Sequence, residues 1–197
     1  MPHTPQSDDG SPAARPPEGL APSPALVESF RAAMRGFATS LAIVTTRDGA
    51  GLPQGIAASA IISLSMEPPS LLIAINRASS IHPALGRRRQ FCVNVLRDDQ
   101  RDLVAAFCRS DLRSLRFRDG DWVLASGELP HLRSAQSVVF CDVERSIDHA
   151  THRLLIGRVI RVHRDKHCLP LIWIDGAPAS IRLPGDERKG AAGKKNR

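Results

Sequence analysis

The chain has 197 residues, of which 42% are hydrophobic and 24% charged, with a formal net charge of +7. These globular values leave room for one domain with a real core and exclude general disorder. No apolar run approaches the roughly 18 residues of a membrane-crossing helix, and MPHTPQSDDG lacks a basic start followed by an apolar run, so we expect a cytoplasmic protein with no secretory signal and no membrane partner.

Much of the positive excess falls on Arg87, Arg88 and Arg89 and on the stretch 188–197. A nucleic-acid face needs basic residues on one ordered element, with groove-reading or stacking side chains among them. The chain has no tyrosine and few other aromatics. We therefore read the charge as a solvated tail plus a surface that attracts anions such as phosphorylated cofactors, with no nucleic-acid partner expected. A basic nucleic-acid-binding β-barrel is the competing reading. Cys92, Cys108, Cys141 and Cys168 are widely spaced without a C-x-x-C pair and read as reduced packing residues.

In chain order, residues 1–23 are rich in Pro, Gly, Ala and Ser, too poor in apolar area to offset the entropy of ordering, and read as a disordered N-terminal arm. Ser23-Pro24 supplies an N-cap and a first-turn proline. Leu26, Val27, Phe30, Ala33, Met34 and Phe37 then recur at helical spacing to about Gly36, an amphipathic helix whose apolar side is expected to pack. Residues 39–47 have strand composition, and Asp48-Gly49 signals a hairpin before a strand over 52–58. Strands follow at 61–64 and 70–76, with Pro68-Pro69 expected to bar helix and sheet pairing locally. Ser79 and Ser80 precede a short helix containing His82, and 91–96 is a buried strand. Asp98 is expected to cap a helix with Asp99 and Asp102 in its first turn and Leu103, Val104 and Phe107 inside. An irregular segment spans 109–121, with strands at 122–125, 137–147, 152–163 and 169–175. Many strands, short turns and few helices argue for a mainly β protein, a barrel with helical insertions over residues 24–182. Residues 183–197 read as a disordered basic C-terminal tail.

Two apparent metal motifs fail. His163, His167 and Cys168 look like a cluster, but His163 ends a predicted strand and no partner ligands are evident. Asp119-Gly120-Asp121 lacks the remaining ligands of a calcium loop and reads as a turn. No metal is expected.

The stretch 55–76, GIAASAIISLSMEPPSLLIAIN, pairs a run of small residues with a buried strand. Gly55, Ala57, Ala58, Ser59 and Ala60 would let a flat ligand reach the backbone, or simply form a close-packed strand. The order GIAASA, SLS, EPP, LLIAINR with two serines close behind, joined by FATSLAIVTTRDG (37–49), FCVNVL (91–96) and Asp148-His149, resembles the flavin reductase-like family over about residues 30–176. The resemblance implies an FMN-binding split β-barrel acting as an NAD(P)H-dependent flavin reductase. Such a protein moves hydride from NADH or NADPH to FMN or FAD and supplies reduced flavin to a two-component monooxygenase partner. It also implies a homodimer.

The cofactors carry the reactive atoms, which suits a sequence with no convincing triad or carboxylate pair, and no catalytic residue is assigned. By resemblance, Ala57, Ala58, Ser59 and Ala60 meet the flavin ring and ribityl chain, and Asn76, Ser79 and Ser80 meet the ribityl and phosphate groups. Ser-Ser before a helix is otherwise an ordinary cap. Arg116 and Phe117 resemble a basic-aromatic pair over the flavin, with Arg116 on the phosphate and Phe117 on a ring; the other reading is an ordinary surface and core pair. His149 lies where the family carries a histidine near the nicotinamide and is the candidate that orients the hydride donor, against a merely solvated turn histidine. Three departures stand out: Ala57 where the family often has Thr, Ile147 where it has Gly, and Gly176-Ala177-Pro178 where many relatives have an aromatic. They motivate an alternative, a non-catalytic flavin-binding protein on the same barrel.

Overall fold

The computed structural model describes residues 22–182, so residues 1–21 of the expected arm and the expected tail 183–197 lie outside the described residues. The described residues fall into two compact units that divide after Met34. In the first, α1 (Pro24–Arg35) begins where the sequence indicates: Ser23 Oγ accepts the Leu26 N–H at 3.2 Å, and Pro24 fills a position whose missing N–H costs nothing. Glu28 and Arg31 pair one turn apart at 2.5 Å. The expectation that its apolar side packs is corrected, because α1 buries none of its residues.

The second unit is built on strands. They are β1 (Thr39–Ser40), β2 (Ala42–Arg47), β3 (Pro53–Ala58), β4 (Ile61–Met66) and β5 (Pro69–Asn76), then after helix α2 (His82–Arg88) β6 (Gln90–Val95). A 3₁₀ segment (Asp98–Leu103) runs into α3 (Val104–Cys108), followed by β7 (Trp122–Val123), β8 (His131–Leu132), β9 (Ser137–His149), β10 (His152–Arg164), β11 (Ile172–Ile174) and β12 (Ala177–Ala179). Seven of them form one antiparallel sheet in the order β3-β2-β6-β9-β10-β5-β4. Its two edges, β3 and β4, are consecutive in sequence with only Ser59 and Ala60 between them. The Ala60 carbonyl accepts the Ala74 N–H at 3.0 Å, so the sheet curls round until its edges nearly meet, a barrel split along that seam.

Strand alternation sorts side chains into two cores. Ala42, Val44, Ile73, Ile75, Phe91 and Val93 fill the barrel, capped by Ile81 and Leu85 at α2. Leu41, Ile43, Cys92, Phe107, Phe140 and Leu171 form a second layer under α3. Every residue of β2 but Arg47 is fully sealed, and Arg47 itself is only 6% exposed. Its guanidinium donates to the carbonyls of Gly51, Leu124, Ala125 and Glu128 at 2.6–2.8 Å, which pins the loop after β7 to the first hairpin. At that hairpin Asp48 accepts the N–H groups of Ala50 and Leu52 at 3.0 and 2.9 Å, the turn that Asp-Gly indicates. These bonds, with the nearby Arg87 charge, hold the Asp48 carboxyl below its usual range.

Pro69 does not bar pairing: it opens β5 in register with Met66, at the first residue of a strand, where a proline is tolerated. Asp98 is not the cap. Arg97 takes that position and its N–H donates to the Gln100 side chain at 2.9 Å, while Asp98 and Asp99 occupy the first turn. β9 and β10 are longer than their sequence pattern implies because one bent hairpin serves both halves of the sheet. Residues 137–142 pair with β6, whereas 152–158 pair with β5. Bulges at Ile156/Gly157 and Val159/Arg161 make the bend. β8 and β12, of two and three residues, carry no period and were not predicted.

Candidate functional site

The site grows from the free edge of β3. Arg116 reaches it from the irregular segment, donating through Nη1 to the Gly55 carbonyl at 2.7 Å and through Nε to the Ala106 carbonyl at 2.8 Å. Backbone groups of alternate residues point the same way along a strand, so the N–H and carbonyl of Ala57 share that free edge, turned away from β2. Nη1 of Arg116 also lies 3.3 Å from Ser80 Oγ. Segments at 55, 80, 106 and 116 thus converge on one guanidinium. All of its acceptors are neutral, and among the described residues no carboxylate pairs with it. Burial, and secondarily the neighbouring Arg113 charge, lower its pKa. A half-buried cation without a counter-ion favours an anionic ligand.

Ser79 and Ser80 do not cap α2, whose N-cap residue Ile81 makes no side-chain bond. Instead Ser79 Oγ is buried without a hydrogen-bond partner, as is Nε2 of His82, and Ser80 faces Arg116. Asn76 shapes the loop: its Oδ1 accepts the Ala78 N–H at 2.9 Å and its carbonyl the Ser79 N–H at 3.0 Å.

The small residues divide in role. A Cβ at Gly55 would lie 2.7 Å from Phe107 Cε1 and 3.1 Å from Phe117 Cζ, so that glycine makes room for an aromatic cluster rather than for a ligand. Ala57 leans on the same cluster and Ala58 on the barrel core. Phe117, at φ +64°, packs edge-on to Phe107 and Trp122 with centroids 5.2 and 5.0 Å away. It is a packing residue beneath β3, whose backbone edge stays free. Beyond that edge Ser59 and the exposed Ala60 turn toward β4, and Ser59 lines a cleft of about 540 Å³ with Thr39, Ser40, Ile61, Gln136 and Pro170. Thr39, Ser40 and Gln136 were not singled out from sequence, because nothing local marks residues that meet only when the sheet closes.

His149 ends β9 opposite His152, across a tight turn in which Ala150 takes φ +47°. The Ile147 departure does not alter that turn: Ile147 is extended, opposite Leu154. Arg77 ties the hairpin tip to the Asn76 loop through its N–H to the Thr151 carbonyl at 2.9 Å and its guanidinium to the Ala150 carbonyl at 2.6 Å. Asp148 takes a bidentate pair from Arg153 at 2.6 and 2.9 Å, which lowers its pKa. The His149 ring is exposed and makes no hydrogen bond with a described residue. Hairpin and loop are therefore brought together, but no contact joins His149 to Arg116 or Ser59. Among the described residues no three or more His, Cys, Asp or Glu side chains cluster as metal ligands, and none of the helices is long and apolar enough to cross a membrane. Near β12, Gly176 takes φ +79° in the turn from β11, so Gly176-Ala177-Pro178 continues as a short strand.

Compared with known proteins, residues 34–182 match the model of the flavin reductase like domain. The FMN reductase (NADH) RutF of Pseudomonas syringae pv. syringae is 33% identical over 145 residues, covering 74% of this chain and 81% of that protein. The reductase component of the FADH(2)-dependent resorcinol hydroxylase of a Rhizobium species is 32% identical over 158 residues, or 80% of this chain and 85% of that one. Among solved structures, flavin reductase PheA2 in its native state superposes with TM-score 0.71 at 26% identity, over 79% of this chain and 98% of that one.

Proposed function

Because the chain belongs to the flavin reductase-like domain family, we propose that it is an NADH-dependent flavin reductase delivering reduced flavin to a partner monooxygenase, and that the β3 edge is its flavin site. The relatives named above are an FMN reductase that uses NADH and the reductase half of a hydroxylase system. The observation that carries the site is Arg116, a half-buried cation with only neutral acceptors, beside the Ser80 hydroxyl and the buried, unpartnered Ser79 Oγ. Those groups fit a flavin phosphate, FMN or FAD alike.

A bound flavin itself supplies the hydride chemistry. The chain supplies position and charge. Ser79, Ser80 and Arg116 hold the phosphate, and Asn76 offers its free amide to the ribityl chain. The unpaired Ala57 N–H, with the backbone at Ala58, Ser59 and Ala60, holds the ring edge and favours the negative charge that reduction adds. Because Ala57 acts through its main chain, the absent threonine hydroxyl removes no donor from this set. Phe117 supports the edge from beneath. His149 approaches from the β9–β10 tip to orient the nicotinamide of NADH or NADPH, with no proton to exchange. The cleft beside Ser59 gives the donor a face to approach.

A homodimer completes this reading. β4 leaves Ile62, Leu64 and Met66 exposed at 58, 47 and 74%, and Ile160 and Val162 on β10 are exposed at 47 and 53%, apolar surface that a second copy would cover. The cytoplasm, where NADH is replenished and the four free cysteines stay reduced, is its place. Mixing the full chain with NADH and FMN should bleach the flavin absorbance with multiple turnovers. Tight flavin binding without turnover would instead identify a flavin carrier.

A further inference from the structure

A second cleft, of about 530 Å³, opens between the turn before β9 and the end of β10 and is lined by Arg133, His163, Arg164, Lys166 and His167, with Asp165 its only carboxylate. Arg133 stands on one wall, Arg164 and Lys166 on the other. The walls are locked together by the Ser137–Arg164 register and by the Asp165 N–H donating to the Gln136 carbonyl at 3.0 Å. The nearby acids are already engaged. Asp165 accepts the His167 N–H at 2.9 Å, and Asp121, next to Arg133, accepts the Ser134 N–H and hydroxyl at 3.1 and 2.7 Å. None of Arg133, Arg164 and Lys166 forms an ion pair with a described residue. Three exposed cations without a described ion partner around one cleft give it a positive potential that attracts an anion.

The cleft is far larger than a single phosphate needs and falls in the range of nucleotide sites. Both clefts are reached from the start of β9, one on the barrel side and one on the side of the second core. Gln136 lines one, while its neighbours Ala135 and Val138 line the other. We infer that this basic cleft binds the diphosphate of an adenine dinucleotide whose reactive ring lies in the Ser59 cleft. The diphosphate assignment stands on the cleft alone; the dinucleotide rests on the reductase reading. Two molecules carry that chemistry, the nicotinamide donor and FAD, and FMN lacks it.

The test uses the full chain, Arg164→Ala, Lys166→Ala, the double variant, and Arg88→Ala as an exposed basic control outside the cleft. All three residues are exposed, and thermal melts check that each variant folds. ADP is titrated calorimetrically, and steady-state kinetics are run with NADH against FMN and FAD. ADP should bind the native chain and lose about tenfold in affinity for each cation removed, with Arg88→Ala unchanged. A raised KM for NADH at constant kcat with FMN places the donor's diphosphate in the cleft. A fall in FAD affinity with FMN unaffected places the flavin's there, which supports the diphosphate site but removes the FAD phosphate from Arg116. ADP binding and all KM values indifferent to the double variant overturn it, as would an oligonucleotide that displaces ADP and binds more tightly. A native chain that binds ADP through these residues but never oxidises NADH would sink the reductase reading while leaving the diphosphate site standing.

Discussion

Arg116 is the residue on which the site turns. It fastens the irregular segment to β3 through two carbonyls and still holds charge no described carboxylate neutralises. Arg116→Gln should therefore weaken FMN binding about tenfold or more, as loss of a charge-assisted phosphate contact does. Arg116→Lys should recover part of it, read by flavin fluorescence quenching. His149→Ala should raise the KM for NADH several-fold while the flavin dissociation constant stays put; an unchanged KM would return His149 to the solvated turn. The thiols separate by environment. Burial raises the pKa of the sealed Cys92, pushes that of Cys141 up to about 12 and raises those of Cys108 and Cys168 as well, but Cys108 is exposed and Cys168 half-buried, so a reagent can reach them. A raised pKa keeps the thiol protonated until the pH climbs past it. At pH 8 a disulfide reagent should label Cys108 and Cys168 in the native chain, and Cys92 and Cys141 only after denaturant is added.

Among the elements, the β9–β10 hairpin decides whether the barrel closes. Gly157 sits at its bulge, where a Cβ would lie 2.5 Å from Phe91 Cζ and 2.9 Å from Cys141 Cβ. Those neighbours are fully buried, so the strain has nowhere to go. Gly157→Ala should cost about 1–3 kcal/mol, lowering the melting temperature by roughly 2–4 °C per kcal/mol for a chain of this size. A melt indistinguishable from the native chain would mean that β6 and β9 part more easily than their packing implies. The hairpin's outline was legible from its β-branched runs, with strands expected at 137–147 and 152–163 against Ser137–His149 and His152–Arg164, but which neighbours its two halves pair with was not. Period 2 marks a buried face only while packing lies beneath it, and beyond Val143 β9 leaves β6, keeps β10 as its neighbour and becomes exposed. β8 was invisible for a related reason: it is held by the buried Asn94 side chain, whose Oδ1 accepts the Leu132 N–H at 2.8 Å, a contact across 38 residues that leaves no local signature.

For the whole molecule, apolar surface left over by the fold is the strongest argument for a second copy. The exposed Ile62, Leu64 and Met66 lie on β4, an edge strand, the kind of surface that invites association unless covered. Sedimentation velocity should give a dimer, and Leu64→Glu should shift it toward monomer; a native monomer at micromolar concentration would remove the homodimer from the reading.

Residues 34–182 announce their family through an ordered string of short segments, because strand composition, the Asp48 turn and the serines after β5 are local chemistry that sequence carries directly. Ser80 and Arg116 were both legible as candidates. Which small residues face a ligand was not, since Gly55 serves Phe107 and Phe117, and only the closed sheet shows that the backbone edge is what remains free. The same holds for the two clefts: Ser59 meets Gln136, and Arg133 faces Lys166, only because a sheared, bent hairpin carries distant segments to one end of the barrel.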